Sequence, residues 1–413
     1  MNMRNILIGF LMLQVFSFCN RQKSVKDALN KDSIEDLSQI NIESTMEKKD
    51  IIYLSQVASK VEYIQLETTS DCIIGRGPSF LFTDSLIFVS NRDHILKFSH
   101  SGKFLGRIGK SGSGPEEIDF IWTISLIPDK KLIVVQKNAP RKLLYFSFDG
   151  KFVKAISIPR FDNLKVLNDE RYIAYESGSV GVDKYNFLLT NKNRDTISFV
   201  KNNDRWRDFA PTSFMTDYPF FEPFYLYKNK YYLKSIYNDT VYYISGDRIL
   251  PSYFINLGKY RLPLEYRPEK MKFISDEKYF DKLAGYYYCN VLESADKIFL
   301  TAVNFKNDAI KCFLIERDDM NSGRLLINKS QKSTGFVNDW DGGLDFWPKG
   351  NVNDNQVFMP INIFDIKKII DEKNADQKAG KLYKARKQLV EMMSNLDISS
   401  NPIIMIVTVK QKD

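Results

Sequence analysis

Histidine is nearly missing from this chain: 413 residues hold two, His94 and His100. That shortage removes several chemistries at once. A three-histidine zinc centre cannot be drawn from one chain. No H-E-x-x-H pair and no C-x-x-C spacing occurs, so the familiar metal signatures are gone. No G-x-S-x-G elbow presents a serine, and a Ser-His-acid triad would have to recruit one of the two histidines. Cysteine is as sparse, with four residues. Setting Cys19 aside, Cys72, Cys289 and Cys312 are an odd number, which excludes a complete disulfide framework. Buried free thiols are expected, and the core must hold the fold. Basic residues outnumber acidic ones by 59 to 51, but the signs are interspersed. No basic stripe forms, so no nucleic-acid partner is expected.

A long apolar run is missing too. Ile6 to Phe18 (ILIGFLMLQVFSF) is thirteen residues, preceded by one cation, Arg4. A membrane-spanning helix needs about 20. Thirteen suits the apolar core of a signal peptide, placed here at 1–18. The run stops at Cys19, followed by the polar NRQKS. An apolar core ending at a cysteine resembles a bacterial lipoprotein signal, in which that cysteine carries the lipid. Phe18 departs from the small residue usual before it. The expectation is a lipid anchor at Cys19, a membrane as partner and a place in the cell envelope, periplasmic or at the outer-membrane surface. Residues 19–50 are polar, without aromatics or glycine, and read as a flexible tether. The folded domain is expected over 51–413.

What the chain has in quantity is aromatic side chains, 14% of it, chiefly Phe and Tyr. Flat rings favour pleated sheets. HILKFSHSGKFL (94–105) and KLLYFSFDGKFV (142–153) agree at six of twelve places, 48 residues apart. Each follows a β-rich run, SLIFVS or KLIVVQ, and each turns at a glycine, Gly102 or Gly150. Glycine there accepts the positive φ that a tight hairpin demands. Weaker copies follow at 171–200, 230–250 and 297–316, and NQVFMPINIF (355–364) starts a last one. A period near 45 with three or four strands per unit is the signature of a β-propeller blade. Counting units gives six. The fold expected is all-β, a six-bladed propeller with a C-terminal helical insertion before the closing strand. Residues 381–396 form that helix, with Leu382, Ala385, Leu389, Met393 and Leu396 on one face packed on the rim. NPIIMIVTV (401–409) is the closing strand, with VEYIQL (61–66) as its partner.

Several stretches resemble the six-bladed β-propeller lipoproteins of Bacteroidetes, relatives of NHL-type propellers. They are DSLIFVSNRDHILKFSHSGKFLGRIGKSGSGPEEI (84–118), YNDTVYYI (237–244), INLGKYRLP (255–263), NDWDGGLDFWPKG (338–350) and NPIIMIVTV. The resemblance implies fold and location; it implies no particular activity.

Two stretches invite chemistry. Gly109-Lys110-Ser111 ends like a phosphate-binding loop, but the first glycine of that motif falls on Phe104. The stretch reads as a glycine-rich connection between blades. DWDGG (339–343) looks like a calcium loop, yet the EF-hand register puts Val337 first and Pro348 last, and neither offers a side-chain oxygen. Asx-type turns are the main reading of Asp339, Asp341 and Asp345, with a calcium site of another kind as the alternative. No cofactor is otherwise implied. Ligand-binding candidates are Arg76, Trp122, Asp339, Trp340, Asp341 and Trp347, because rings that stack beside charges that hydrogen-bond suit sugars and peptides. The expected function is a non-catalytic envelope module that binds a glycan, a peptide or an envelope protein. The alternative is a calcium-dependent lactonase-type hydrolase on the same fold.

Overall fold

SLIFVS and KLIVVQ carry apolar residues at consecutive rather than alternate positions, as a strand does when both its faces are covered. In the structure, a computed structural model, each is the second strand of a four-stranded sheet. It describes residues 37–75, 77–138, 140–159, 161, 163–168, 170–177, 181–205, 221–267, 281–332, 334–373 and 381–412, with backbone alone at 138, 371–373 and 381–383.

Six such sheets follow one another around a ring, a six-bladed β-propeller. Blade 1 runs Ser79–Phe82, Leu86–Ser90, Ile95–Ser99, Phe104–Ile108. Blade 2 is Thr123–Ile127, Leu132–Asn138, Arg141–Ser147, Phe152–Ser157, and blade 3 is Asn163–Asn168, Arg171–Tyr175, Tyr185–Asn191, Thr196–Lys201. Blade 4 is Phe224–Tyr227, Lys230–Lys234, Thr240–Ser245, Arg248–Asn256, and blade 5 is Tyr287–Ser294, Lys297–Asn304, Ile310–Glu316, Asp319–Leu326. Blade 6 combines Gly350–Asn351, Gln356–Ile361 and Ile403–Val409 with Ala58–Gln65 from the start of the domain. Its closing pair is antiparallel, with Met405 opposite Tyr63 and Val407 opposite Val61. Joining the two ends of the chain in one sheet leaves the ring without a gap between its first and last strands.

Apolar layers fill the seams between blades. Phe88, Ile95 and Ile108 of blade 1 meet Ile133, Val135, Leu144 and Phe146 of blade 2. The repeated glycines have a second use at these seams. A Cβ on Gly102 would lie 1.9 Å from the carbonyl oxygen of Gln65, and one on Gly150 would lie 2.6 Å from that of Arg107. Each glycine, with φ near 85°, lets a hairpin press on the outer strand of the blade before it. His100, which stands where the second repeat has Phe148, packs its ring edge-on to Phe82 and contacts the Thr83 carbonyl.

The tether boundary differs from expectation. Gln39–Asn41 adds a fifth, parallel strand to the outer edge of blade 4, and Lys49–Asp50 does the same on blade 5. Ile40 and Ile42 are fully buried, and Asn41 caps the intervening helix Ile42–Glu47 through the Ser44 amide. Three apolar side chains in a polar stretch (Ile40, Ile42 and Met46) suffice, because the open sheet edges supply the backbone partners. The propeller chain therefore starts at Gln39 rather than Ile51.

The insertion in blade 6 forms helices Ile363–Lys373 and Lys381–Ser394. Leu389, Met393 and Leu396 are buried with Ile366 and Ile370 in the layer that reaches Phe336, Trp347 and Met405. The Leu382 side chain lies outside the described residues. Cys72, Cys289 and Cys312 are buried free thiols.

Candidate functional site

The glycine-rich connection after blade 1 is filled by its own chain. The Gly114 amide donates to Glu117 Oε2 at 2.9 Å, and a Cβ on Gly112 would lie 2.2 Å from that oxygen. A carboxylate thus sits in the concavity of the loop, where an anion would otherwise be received. The loop is locked further by Lys137, which donates to the Glu117 carbonyl and pairs with Asp119, each at 2.9 Å. Beside it lies a cavity of about 340 Å³ lined by His94, Arg107, Gly109 and Lys110. There Arg107 is engaged with the Asp71 carbonyl and His94 with Asp93, and both Arg107 and Lys110 are exposed.

The acidic turn 338–345 is a knot in the seam between blades 5 and 6. Asp341 is buried, and its Oδ1 accepts from Asn338 Nδ2 and the Gly343 amide at 2.9 Å each. Its Oδ2 accepts from the Tyr63 hydroxyl at 2.7 Å. Burial and the Asp341 charge hold that phenol far above its usual pKa, so it stays a donor. Asp339 accepts from both the amide and the hydroxyl of Ser55, and Asp345 from Thr334 and the Asn338 amide. These carboxylates are satisfied by protein donors, but only Asp341 forms an Asx turn, with the Gly343 amide; Asp339 and Asp345 instead tie in Ser55, Thr334 and Asn338. Among the described residues no group of three or more His, Cys, Asp or Glu is placed to hold a metal ion. Trp347, expected as a ligand contact, is a core side chain. It is 5% exposed, lies between Phe299 and Phe336, and donates its indole N–H to Thr301 at 2.8 Å. Trp340 is partly buried against the same layer. The aromatic and acidic signal at 338–348 therefore reports packing. Arg76 and Cys19 lie outside the described residues.

Trp122 is different. It is 46% exposed and pairs with Phe120, 42% exposed, with ring centroids 6.2 Å apart. It directly precedes the first strand of blade 2. First strands are innermost in every blade, so their starts gather at one end of the central channel. Three more polar residues belong to that end. Lys165, on the inner strand of blade 3, donates to the Ile124 carbonyl of blade 2 at 3.0 Å. Glu222, two residues before the inner strand of blade 4, donates its amide to Asn290 Oδ1 of blade 5 at 3.1 Å. Trp122, Lys165, Glu222 and Asn290 thus form an arc over four consecutive blades.

Two members of the arc, Lys165 and Glu222, feel each other's charge. Glu222 is exposed and Lys165 half-buried, so water reaches both. Yet burial pushes the Glu222 carboxyl up in pKa and the Lys165 ammonium down, each opposed by the other's charge. Among the described residues, the Glu222 carboxylate accepts no hydrogen bond and makes no ion pair. The sequence reading found Trp122 and missed the other three. Their signal was position, a charge or amide at or just before an innermost strand, which is legible only once the blades are delimited.

At the far end of the same inner strands, Glu293 is fully buried. Its Oε1 accepts from the hydroxyls of Tyr225 and Tyr253 at 2.7 and 2.9 Å, and its Oε2 from Arg317 Nε at 2.8 Å. Asn351 of blade 6 donates to the carbonyls of Leu226 and Glu293, at 2.8 and 2.9 Å. That end draws blades 4, 5 and 6 together.

Among solved structures, the chain is similar in fold to a Bacteroides fragilis protein described as exported. The likeness covers 91% of this chain and 100% of that one, at 16% identity and a TM-score of 0.68. A member of the DUF4221 family from Bacteroides vulgatus follows at 9% identity, over 86% and 98% of the two chains, with a TM-score of 0.45. No curated protein matches. Among the described residues no helix is long and apolar enough to cross a membrane. A family model matches residues 37–408, nearly the whole span from the rim strand of blade 4 to the closing strand, and the chain belongs to that family, a domain of unknown function called DUF4934.

Proposed function

We propose that this chain is a cell-envelope propeller, held by lipid on Cys19, that binds a ligand at the mouth of its channel without transforming it. The class of ligand is a peptide or glycan, free or displayed on an envelope protein. The observation that supports this reading is the arc of Trp122, Lys165, Glu222 and Asn290, where an exposed ring, a cation, an unmatched carboxylate and an amide converge from four blades. Convergent polar groups beside an aromatic surface are what a binding pocket needs for orientation and contact area. The likeness to an exported protein supports an envelope address. Kinship with NHL-type propellers stays part of the same proposal, carried by the repeated stretches.

The test is the melting temperature of the full chain with calcium, with EDTA, and with panels of glycans and peptides. A ligand at about 100 times its Kd adds about 2.7 kcal/mol, enough to raise melting by a few degrees. The expected result is a shift by a peptide or glycan that EDTA leaves unchanged and that Trp122→Ala removes. A calcium shift reversed by EDTA would instead favour the lactonase-type hydrolase. Silence across the panel would overturn the small-ligand reading.

A further inference from the structure

The cavity of about 340 Å³ at the end of blade 1 is lined by His94, Arg107, Ile108, Gly109, Lys110 and Ser111. Its lining holds two exposed cations and no carboxylate. Among the described residues neither Arg107 nor Lys110 makes an ion pair. Three acids of the two loops beside the cavity are engaged elsewhere: Asp93 with His94, Glu117 with the Gly114 amide, and Asp119 with Lys137. Two like charges that share a cavity wall repel each other, and the described residues give neither a counter-charge. An anion from outside would supply it.

Both cations stand on a fixed backbone. Arg107 lies in the outer strand of blade 1, opposite Leu96. Its Nε and Nη2 donate to the Asp71 carbonyl at 3.1 and 2.8 Å, which holds the guanidinium in place and leaves Nη1 uncommitted. Gly109, at φ 71°, turns the chain after that strand, and a Cβ there would lie 3.0 Å from both Ile118 and Phe146. The turn is therefore seated on the seam with blade 2. Lys110 is pinned beside it, because its carbonyl accepts from the Ile118 amide at 2.8 Å. Only the Lys110 side chain has to be ordered when an anion arrives, which limits the entropic cost of binding.

The rest of the lining restricts the ligand. Ile108 is its one apolar side chain and is buried, and no aromatic ring lines it. An apolar body would find no surface there. The volume lies at the low end of ligand pockets, about 300 to 1,000 Å³, and suits a small polar molecule rather than a bare ion. A guanidinium fork beside an ammonium matches an oxyanion in charge and shape.

We propose that this cavity is an anion site for a small polar molecule bearing an oxyanion, a phosphorylated, sulfated or carboxylated sugar. Arg107 Nη1 and Lys110 Nζ take the oxyanion. The site shares no residue with the arc of Trp122, Lys165, Glu222 and Asn290, and it does not rest on the reading of that arc.

The test is calorimetric titration of the full chain, at low salt, with glucose 6-phosphate, glucose 6-sulfate, glucuronate and glucose. At least one charged sugar is expected to bind, and the tightest names the oxyanion. Glucose should bind at least tenfold more weakly, since a lost charge-assisted contact is worth about that much. Lys110→Ala and Arg107→Ala should each weaken the charged sugar at least tenfold while the melting curve shows them folded. Lys103→Ala removes an exposed cation from the hairpin at the other end of the same strand, and it should leave binding unchanged. No binding by any charged sugar, or glucose binding as tightly, would overturn the proposal. So would a loss with Lys103→Ala as large as with Lys110→Ala, because the attraction would then be diffuse surface charge.

Discussion

Glu222 and Glu293 stand at opposite ends of the inner strands of blades 4 and 5, and they are treated in opposite ways. Glu293 has no exposure and every bond a carboxylate needs: two tyrosine hydroxyls on one oxygen and a guanidinium on the other. Burial and the Glu293 charge push both phenols up, so they remain donors across the physiological range. Glu222 is open to water, crowded by protein, and bonded to nothing among the described residues. One acid closes the propeller, and the other costs the fold something to hold. A charge that opposes folding and touches no protein partner is a functional candidate. The comparison separates the two ends of one seam into a fastening and a mouth.

The sharpest way to break that contrast is at the fastening. Glu293→Gln keeps the shape but removes the charge that pairs with Arg317, and with its carbonyl on the two tyrosine hydroxyls its amide NH2 meets the Arg317 guanidinium donor to donor. Breaking a buried pair on one side costs about 3 kcal/mol. A urea titration should show it as a lower midpoint with unchanged slope, and a loss under about 1 kcal/mol would mean that this end is no fastening. Asn351→Ala comes next. It removes both donors that tie blade 6 to Leu226 and Glu293, but also the buried Asn351 Oδ1, which has no partner. The two effects offset in part, for a net loss of about 1 kcal/mol by the same titration.

Trp122→Ala moves to the mouth. The ring is nearly half exposed, and the backbone N–H that it would leave behind still donates to the Gln136 carbonyl at 2.9 Å. Stability should change by less than about 1 kcal/mol, as surface substitutions do. A drop of about 3 kcal/mol, the cost of emptying a core site, would put Trp122 in the same class as Trp347 and dissolve the mouth.

The Trp pair also shows what the sequence could tell. The propeller was legible because its signal repeats: Gly102 and Gly150 occupy one place in two copies, and each meets the backbone of the preceding blade. Closure was legible because an isolated apolar strand after a helix needs a partner. The rim strands were not, since Ile40, Ile42 and Met46 are too few to show periodicity without the sheet edges they cover. At the site, composition misled. Tryptophans and aspartates look alike whether they fill a seam or face a channel, and the richest cluster, 338–348, proved to be packing. Lys165, Glu222 and Asn290 had no local pattern at all. What joins them is the ring, which brings residues from 165 to 290 to one opening.

The smallest expected effect is the most telling for the comparison, because its sign runs against habit. Burial is the main cause of the raised pKa of Glu222, with the Lys165 charge opposing it. A carboxyl raised in the folded state contributes its full stability below the unfolded value of 4.5 and loses it as pH climbs through the folded pKa. Lys165 points the same way at neutral pH: burial lowers its pKa, so keeping it protonated also opposes folding there. Glu222→Gln mimics the protonated acid at every pH. Its melting temperature should match the parent below about pH 4.5 and lie slightly above it at pH 7, a gain bought by losing the ligand. Melting of the two proteins across that range measures the difference directly. If the variant instead melts lower at pH 7 and equal in acid, Glu222 is an ionised fastening like Glu293, and the two ends of the seam are the same kind of thing.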